Sequence, residues 1–557
     1  MTRLLTIPVI LAGLAAAAVY WSNDGGGQRA DFAYIDRGEN KCLDLNGMSW
    51  MQDIRMAYAL WEGLYTLDPV TLKPVLGCAD RATVDSTRTV WTLHIRSEAR
   101  WSNGDRVKAG DFLFAWRRFL ETPGEYTYLH FYIRGAKEYS SRFADYIAAG
   151  EKGGGAPPAP DFATVGEKAL DDQTLVVTLS DPVPFFPALL AFPPFFPMHE
   201  PSMRPFLESD GLHYRLDCTR PPNLVTNGPY RLAEWSFKRW VRMVASDFYW
   251  NRANVKSRVV DRVSADDGLA AYRAYERGEV DWLTDVDPNL AAQMLARGGR
   301  ADLHVFIAFG TYFYSLNCLP ILPDGRKNPL ADVRVRQALA MSIDRDPIVR
   351  NAGRLGQPPS RTYIPPNVFE GYSSPPGLPY DPPRARRLLA DAGFPDGRGF
   401  PRLTILYNSE GIHGDVAQII RRQWLNNLNA EMDLQGVEIK VFGEMLRTQQ
   451  YAVARASWYG DYADPTTFTD KYKSDSQDND AKWSNTEYDR LCAQAQREAD
   501  QGRRLRLLGQ AEKILLNEAP IIPLYTYVNA YLFRPQVKGI PLAANQMLMF
   551  SSVQVER

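Results

Sequence analysis

The sequence predicts an α/β fold that is divided into more than one domain. Three observations support this prediction. The first half of the chain alternates apolar and polar residues in short runs, as half-buried strands do. From about residue 265 onwards, amphipathic helical patterns alternate with short strands. The chain also has 557 residues, of which 45% are hydrophobic, and chains of this length divide into domains with separate cores.

In the strand-rich first half, the segment TRTVWTLHIR (87–96) predicts a strand, because alternate positions are apolar (Trp91, Leu93 and Ile95). The pair Asn103-Gly104 predicts a tight turn. Asp111 is predicted to cap a helix whose apolar face carries Phe112, Trp116 and Phe119. The segment QTLVVTL (173–179) predicts a second strand for the same reason as the first.

In the second half, three runs predict amphipathic helices: LAAYRAYERGEVDWL (269–283, ending in a short strand), DVRVRQALAMSI (332–343) and DPPRARRLLADAGF (381–394). A βαβ unit follows, because parallel strands need a helical crossover. Its parts are a buried strand LTILYN (403–408), a helix from Asp415 to Asn429 and a strand VEIKVF (437–442).

A further helix from about Glu444 leads into a third strand and a loop within AVARASWYGDYADP (452–465). Open parallel sheets bind ligands outside the carboxyl ends of their strands. We therefore expect a binding site at residues 455–465.

The N-terminal residues MTRLLTIPVILAGLAAAAVY place one Arg before an apolar run from Leu4 to Tyr20, which is the layout of an export signal. This predicts a periplasmic or cell-envelope protein. An uncleaved membrane anchor is the alternative, because a span needs about 17–25 residues. In that case residues 24–27 form a flexible tether. No Cys lies in this region to carry a lipid.

Composition and motifs exclude several classes of protein. The 64 Lys and Arg residues nearly balance the 65 Asp and Glu residues, which argues against a nucleic-acid partner. Five cysteines lie far apart and permit at most two disulfides, without metal-ligand spacing. No nucleophile, nucleotide-binding or metalloprotease motif is present, and the six histidines are scattered. We therefore expect no enzyme activity, no cofactor and no metal.

The segment 455–465 is the strongest candidate for a binding site. Arg455 supplies a fixed cation, Trp458 and Tyr459 supply aromatic rings, and Asp461 supplies a carboxylate. A carboxylate binds an ammonium group and a guanidinium binds a carboxylate. The alternative is that both charges pair with neighbours on a surface loop, where such pairs contribute little energy.

Six stretches, taken together, carry a resemblance to a known family: WEGLYTLDP (61–69), VWTLHIRSEARWSNGDRVKAGDFLFAWRR (90–118), VTNGPYRLAEW (225–235), DVRVRQALAMSIDRD (332–346), residues 453–465 and IIPLYTYVNAYLFRP (521–535). The chain resembles the periplasmic oligopeptide- and dipeptide-binding proteins of ABC importers, in extracellular solute-binding family 5. The resemblance implies two lobes joined by a hinge, an extra small α/β domain, and a peptide enclosed between the lobes.

The family's W-x-x-D-Y motif matches residues 458–462, and this implies that Asp461 binds the α-amino group of the peptide. Arg455 and His413 match the positions that serve in the family as alternative partners for the peptide carboxylate. Trp458 and Tyr459 are implied to supply backbone groups and walls, and Ser457 lies between them and Arg455. A Cys often stands in the family where this chain has Tyr459, so the disulfide of those relatives is absent here.

The resemblance also implies a division of the chain: residues 1–30 as signal or anchor, 76–199 as the extra domain, 306–527 as the second lobe, and 31–75, 200–305 and 528–557 as the first lobe. We expect a monomeric receptor that delivers short peptides to ABC permease subunits. The alternatives are a non-peptide ligand (nickel chelate, haem, opine or oligosaccharide) in the same fold, or a peptide sensor that docks on a membrane receptor.

Overall fold

The computed structural model describes residues 29–36, 38–40, 43–151, 158–265 and 267–557. The predicted export signal falls outside these residues. Within them, no helix combines the length and the apolar composition that crossing a bilayer requires. The α-helices are Met51–Leu60, Ala109–Glu121, Ala136–Glu151, Phe186–Leu190, Glu200–Met203, Gly268–Glu276, Pro288–Ala296, Val333–Met341, Asp346–Ile348, Pro382–Asp391, His413–Leu428, Ile439–Arg447, Thr466–Thr469, Thr486–Arg497 and Gln501–Glu518.

A ten-stranded mixed sheet runs through the whole molecule. Across the sheet its strands are Met432–Val437, Leu403–Asn408, Val453–Tyr459, Leu303–Leu316, Ile521–Phe533, Trp282–Leu283, Phe32–Ile35, Val259–Val263, Trp240–Ala245 and Tyr230–Ser236. The first three strands pair in parallel, and so do Trp282–Leu283, Phe32–Ile35 and Val259–Val263. The sheet thus has a parallel region in each half.

The two central strands, Leu303–Leu316 and Ile521–Phe533, join the two halves. Their pairing register shifts between Ile307 and Thr311. One hydrophobic core contains residues between 32 and 260 together with residues 531–553. Separate hydrophobic cores contain residues between 309 and 525. The chain therefore forms two lobes, as expected, and passes between them along both central strands.

A separate antiparallel sheet of four strands belongs to the N-terminal half. Its strands are Ala79–Val84, Val90–Ile95, Thr174–Thr178 and Glu167–Ala169. The helix Ala109–Glu121 packs against this sheet and buries Phe112, Trp116 and Phe119 as the sequence predicts. Two short hairpin-like pairs complete the strands: Tyr65–Leu67 with Pro74–Leu76, and Val537–Lys538 with Gln554–Val555.

Two predicted helix starts are wrong. Asp111 does not cap its helix, which begins at Ala109 with Lys108 as the N-cap. Asp111 instead lies in the first turn of the helix, where its carboxylate accepts a hydrogen bond from the backbone N–H of Lys108 at 2.9 Å. Asp111 therefore still provides a hydrogen-bond acceptor for a backbone N–H group at the start of this helix. The helix predicted from Asp415 begins at His413.

The strand predicted at residues 437–442 is also wrong. The second parallel strand is Met432–Val437, and a helix occupies Ile439–Arg447, so the helix predicted from Glu444 begins five residues earlier. The carboxylate of Glu438 caps this helix by accepting from the backbone N–H groups of Lys440 and Val441. The alternation of VEIKVF suggested a strand, but an N-cap followed by a helical apolar face prevailed.

Candidate functional site

The strand Val453–Tyr459 and the loop after it carry the candidate binding residues. In its pairing with Leu303–Leu316, Arg455 lies opposite Tyr314 and Ser457 lies opposite Tyr312. Side chains alternate along a strand, so Arg455, Ser457 and Tyr459 share the face of these tyrosines. Trp458 lies on the other face. The parallel neighbour Leu403–Asn408 pairs only with Val453 and Ala454, so among the described strands none covers the second edge of residues 455–459.

Asp461 follows the strand and lies at the junction of the lobes. Its Oδ2 atom accepts a hydrogen bond from the Tyr128 hydroxyl at 2.7 Å, and its backbone N–H donates to Oγ1 of Thr467 at 2.9 Å. Burial raises the pKa of Asp461 to about 7. Within the described part of the chain, no basic side chain lies within ion-pair distance of this carboxylate, so its charge is available to a ligand.

A small cavity of about 20 Å³ lies beside Asp461. The other residues that line it carry no charge and come from both halves of the chain: Tyr58, Leu67, Leu72, Pro74, Ala188, Phe192, Phe309, Tyr462, Ala463, Asn545 and Met547. The carboxylate therefore faces a largely apolar space between the lobes.

Arg455 lies among tyrosines. Its Nη2 atom donates to the Tyr527 hydroxyl at 3.5 Å, and the guanidinium carbon lies 5.4 Å from the ring centroid of Tyr312. The Nε atom is buried and has no hydrogen-bond partner in the described structure. No described carboxylate lies within ion-pair distance of Arg455 either. A partly buried cation without a counter-ion is suited to an anionic ligand group.

His413 lies close to Arg455, through Tyr312. The Nδ1 atom of His413 lies 3.1 Å from the Tyr312 hydroxyl, and the two rings stack with centroids 5.5 Å apart. Burial, together with the charge of Arg455, lowers the pKa of His413 to about 3. The imidazole is therefore neutral at physiological pH, and of these two side chains it is Arg455 that carries the positive charge.

The aromatic pair at residues 458–459 is divided between two environments. Trp458 donates from Nε1 to the carbonyl oxygen of Thr467 at 2.7 Å, and the Nζ atom of Lys471 lies 4.7 Å from its ring centroid. Tyr459 stacks on Tyr527 with centroids 5.0 Å apart and is 41% exposed. Trp458 thus supports the Asp461 loop from behind, while Tyr459 lies on the Arg455 face.

Sequence reasoning missed the residues that reach this site from the N-terminal half. Besides the Tyr128 contact with Asp461, the Tyr132 hydroxyl donates to Oδ2 of Asp470 at 2.5 Å. Phe185 stacks on Tyr462 with centroids 5.1 Å apart. The aromatic run TYLHFY (127–132) was the only local signal. It gave no hint of the partners, which lie more than 330 positions away.

The described residues show no group of side chains arranged to hold a metal ion. Cys78, Cys318 and Cys492 carry free thiols, and Cys42 falls outside the described residues. Burial raises the pKa of Cys78 and raises that of Cys318 to about 11, so neither thiol is activated for chemistry.

Comparison with known proteins identifies the family. The model of the bacterial extracellular solute-binding proteins, family 5, matches residues 73–480. The chain is 31% identical over 541 residues to the periplasmic oligopeptide-binding protein OppA of Salmonella typhimurium, covering 95% of this chain and 94% of that protein. It is 30% identical over 515 residues to the dipeptide-binding protein DppE of Bacillus subtilis, covering 89% and 86%.

Solved structures show the same fold over nearly the whole chain. The murein tripeptide binding protein MppA of Escherichia coli superposes with a TM-score of 0.76 at 28% identity, covering 95% of this chain and 99% of that one. OppA of Haemophilus influenzae in complex with the peptide RPPGFSPFR gives 0.75 at 26% identity, covering 94% and 99%. On this evidence, the chain belongs to the bacterial extracellular solute-binding proteins of family 5.

Proposed function

We propose that the protein captures short peptides between its two lobes and delivers them to the membrane subunits of an ABC importer. The observation that carries this proposal is the placement of two opposite charges, neither of which has an ion-pair partner among the described residues. Asp461 and Arg455 lie six positions apart, at the two ends of a strand edge that no described strand covers. A zwitterionic chain laid along that edge would satisfy both charges and the backbone between them.

The free edge suits a peptide main chain. An extended peptide pairs with an exposed strand edge through main-chain hydrogen bonds, which makes binding tolerant of side-chain sequence. Residues 455–459 are extended and span about 13 Å at about 3.3 Å per residue. A segment of that length matches a peptide of a few residues.

Asp461 would hold the peptide ammonium group. The Tyr128 hydroxyl donates to Oδ2 of this carboxylate, and Tyr126 also lies within hydrogen-bonding reach of it, so two tyrosine hydroxyls orient the carboxylate for the ligand. Because the site is partly buried, the ion pair is stronger than it would be in water. Tyr128 belongs to the N-terminal half, so its contact with Asp461 also favours the closed arrangement of the lobes.

Arg455 and His413 would hold the peptide carboxylate. The Tyr312 hydroxyl lies 3.1 Å from Nδ1 of His413. In the tautomer whose Nδ1 accepts from this hydroxyl, the neutral imidazole carries its proton on Nε2 and can donate it to an oxygen of the ligand. Arg455 then supplies the charge, and His413 supplies a directed hydrogen bond.

The family and the sequence support the remaining parts of the proposal. The N-terminal segment directs the chain to the periplasm or cell envelope, cleaved or retained as an anchor, and the protein acts as a monomeric receptor without enzyme activity or cofactor. We retain the division into a first lobe (31–75, 200–305 and 528–557), an extra domain (76–199) and a second lobe (306–527).

Two experiments test the proposal. Native mass spectrometry of protein purified without refolding should show co-purified masses separated by amino-acid residue increments. A single defined mass, such as that of a bile acid or a metal chelate, would refute the peptide assignment. Isothermal titration of ligand-freed protein with a tripeptide should show binding that N-acetylation of the tripeptide weakens strongly.

A further inference from the structure

We infer that Thr467 is a positioning residue for peptide capture, because its hydroxyl oxygen holds the main chain of Asp461 and so directs the carboxylate towards the ligand. This inference rests on the proposed function, in which Asp461 binds the peptide ammonium group. It adds a requirement that the identity of residue 461 does not specify, namely the direction in which its carboxylate points.

Thr467 contacts both ends of the segment 458–461. Its Oγ1 atom accepts a hydrogen bond from the backbone N–H of Asp461 at 2.9 Å. Its carbonyl oxygen accepts a hydrogen bond from Nε1 of Trp458 at 2.7 Å. Only 4% of Thr467 is exposed, so water competes little for either bond. The position of Thr467 therefore determines the course of the main chain that carries the carboxylate.

The main chain just before Asp461 is held on its other side. The backbone N–H of Gly460 donates to the carbonyl oxygen of Phe309 at 2.9 Å. A Cβ atom at residue 460 would lie 2.3 Å from Cε1 of the Phe309 ring, so the chain approaches the central strand closely here. Because residue 460 is held at that strand, the bond to Thr467 sets the direction in which the chain leaves it.

The helix that carries Thr467 is itself firmly anchored. The Oδ1 atom of Asp464 accepts from the backbone N–H of Thr466 at 3.0 Å and from its hydroxyl at 2.7 Å. The two carboxylate oxygens of Asp464 also accept from the two Nη atoms of Arg504, at 2.6 and 2.7 Å. Both members of this pair are buried. A bidentate pair fixes geometry as well as contributing energy, so Thr467 offers Asp461 a stationary acceptor.

Loss of the Thr467 acceptor has a specific consequence for binding. The N–H of Asp461 can then find a new acceptor only if the loop moves to reach water. A ligand must order such a displaced loop when it binds, and this ordering weakens its affinity. Thr467→Val keeps nearly the same shape and removes the acceptor, so it isolates this effect.

The test is isothermal titration of a free and an N-acetylated tripeptide at pH 7.5. Thr467→Val should weaken binding of the free tripeptide about tenfold and should change binding of the acetylated tripeptide by less than about twofold. Thr467→Ser retains the oxygen and should restore wild-type affinity for both. In the Asp461→Asn background, Thr467→Val should have almost no effect on either tripeptide.

Thr469→Val is the matched control on the same helix. The Oγ1 atom of Thr469 is buried and has no hydrogen-bond partner in the described structure, so the same substitution should leave both affinities unchanged. Hydrogen exchange measured by mass spectrometry gives a readout that needs no peptide. In the empty protein, residues 459–463 should exchange several-fold faster in Thr467→Val than in Thr469→Val or the wild type.

Four results would overturn the positioning role and leave the proposed function intact. They are an unchanged affinity of Thr467→Val for the free tripeptide, equal losses for the free and acetylated tripeptides, an effect that persists in the Asp461→Asn background, and failure of Thr467→Val to fold, which would assign the hydroxyl to stability. Wild-type protein that binds the free and acetylated tripeptides equally would instead overturn the proposed function.

Discussion

Replacement of Asp461 by asparagine isolates the charge that the proposed function depends on. The amide has nearly the same shape and can still accept the hydrogen bond that Tyr128 donates to Oδ2, so the loop should keep its structure. Removing one partner of a buried, hydrogen-bonded charge pair costs about 2–5 kcal/mol. Asp461 is only partly buried, so we expect about 2–3 kcal/mol, or roughly a 30- to 150-fold weaker Kd.

The assay is a double-mutant cycle by isothermal titration at pH 7.5, using wild type and Asp461→Asn with a free and an N-acetylated tripeptide. Acetylation should weaken binding to the wild type by a similar factor and should add little to the loss in the variant. Equal affinity of the two proteins for the free tripeptide would show that the ammonium group binds elsewhere. Unchanged thermal unfolding of the variant confirms that its fold is intact.

Three other predictions follow from the charges. Peptide affinity should fall as the pH drops below about 7, the pKa of Asp461 in the empty protein, because the protonated carboxyl must release its proton to pair with the ammonium group; titrations from pH 5.5 to 8 measure this. Arg455→Met should weaken binding of a free tripeptide at least tenfold and leave binding of the C-terminally amidated tripeptide unchanged. It should also raise the Tm of the empty protein, because the partly buried guanidinium has no counter-ion in the part of the chain that the structure describes. Glu167→Leu should raise the free energy of unfolding at pH 7 by about 1–3 kcal/mol in denaturant titrations, because the described structure offers its buried carboxyl oxygens no hydrogen-bond partner.

The stabilisation by Glu167→Leu should depend on pH in one direction. Burial raises the pKa of this carboxyl well above its usual value, so the wild type loses stability as the pH rises from about 4.5 towards the folded-state pKa. The advantage of Glu167→Leu should therefore shrink at pH 4. An advantage independent of pH would contradict this explanation. A peptide affinity that stays constant from pH 5.5 to 7 would contradict the explanation given for Asp461. Equal losses of affinity for the free tripeptide and its C-terminal amide would contradict the explanation given for Arg455.

Much of the fold could be predicted because local patterns encode it. The strands Val90–Ile95 and Leu403–Asn408 and the helix Pro382–Asp391 agree closely with the predicted segments. The prediction failed at residues 437–442, where a short alternating run is compatible with a strand and with the first turn of a helix. Which of the two forms depends on the register with the neighbouring strand, which begins at Met432.

The sequence by itself determined the family, the two-lobed α/β architecture and the presence of Arg455 and Asp461 at the end of a strand, since these depend on short segments and their order. The tertiary structure alone decided that neither charge has a counter-ion among the described residues, that Tyr128 reaches Asp461 from the other half of the chain, and that a small cavity with a mostly apolar wall adjoins that carboxylate. Contacts between residues hundreds of positions apart depend on how the lobes pack, and no local pattern of side chains records that packing.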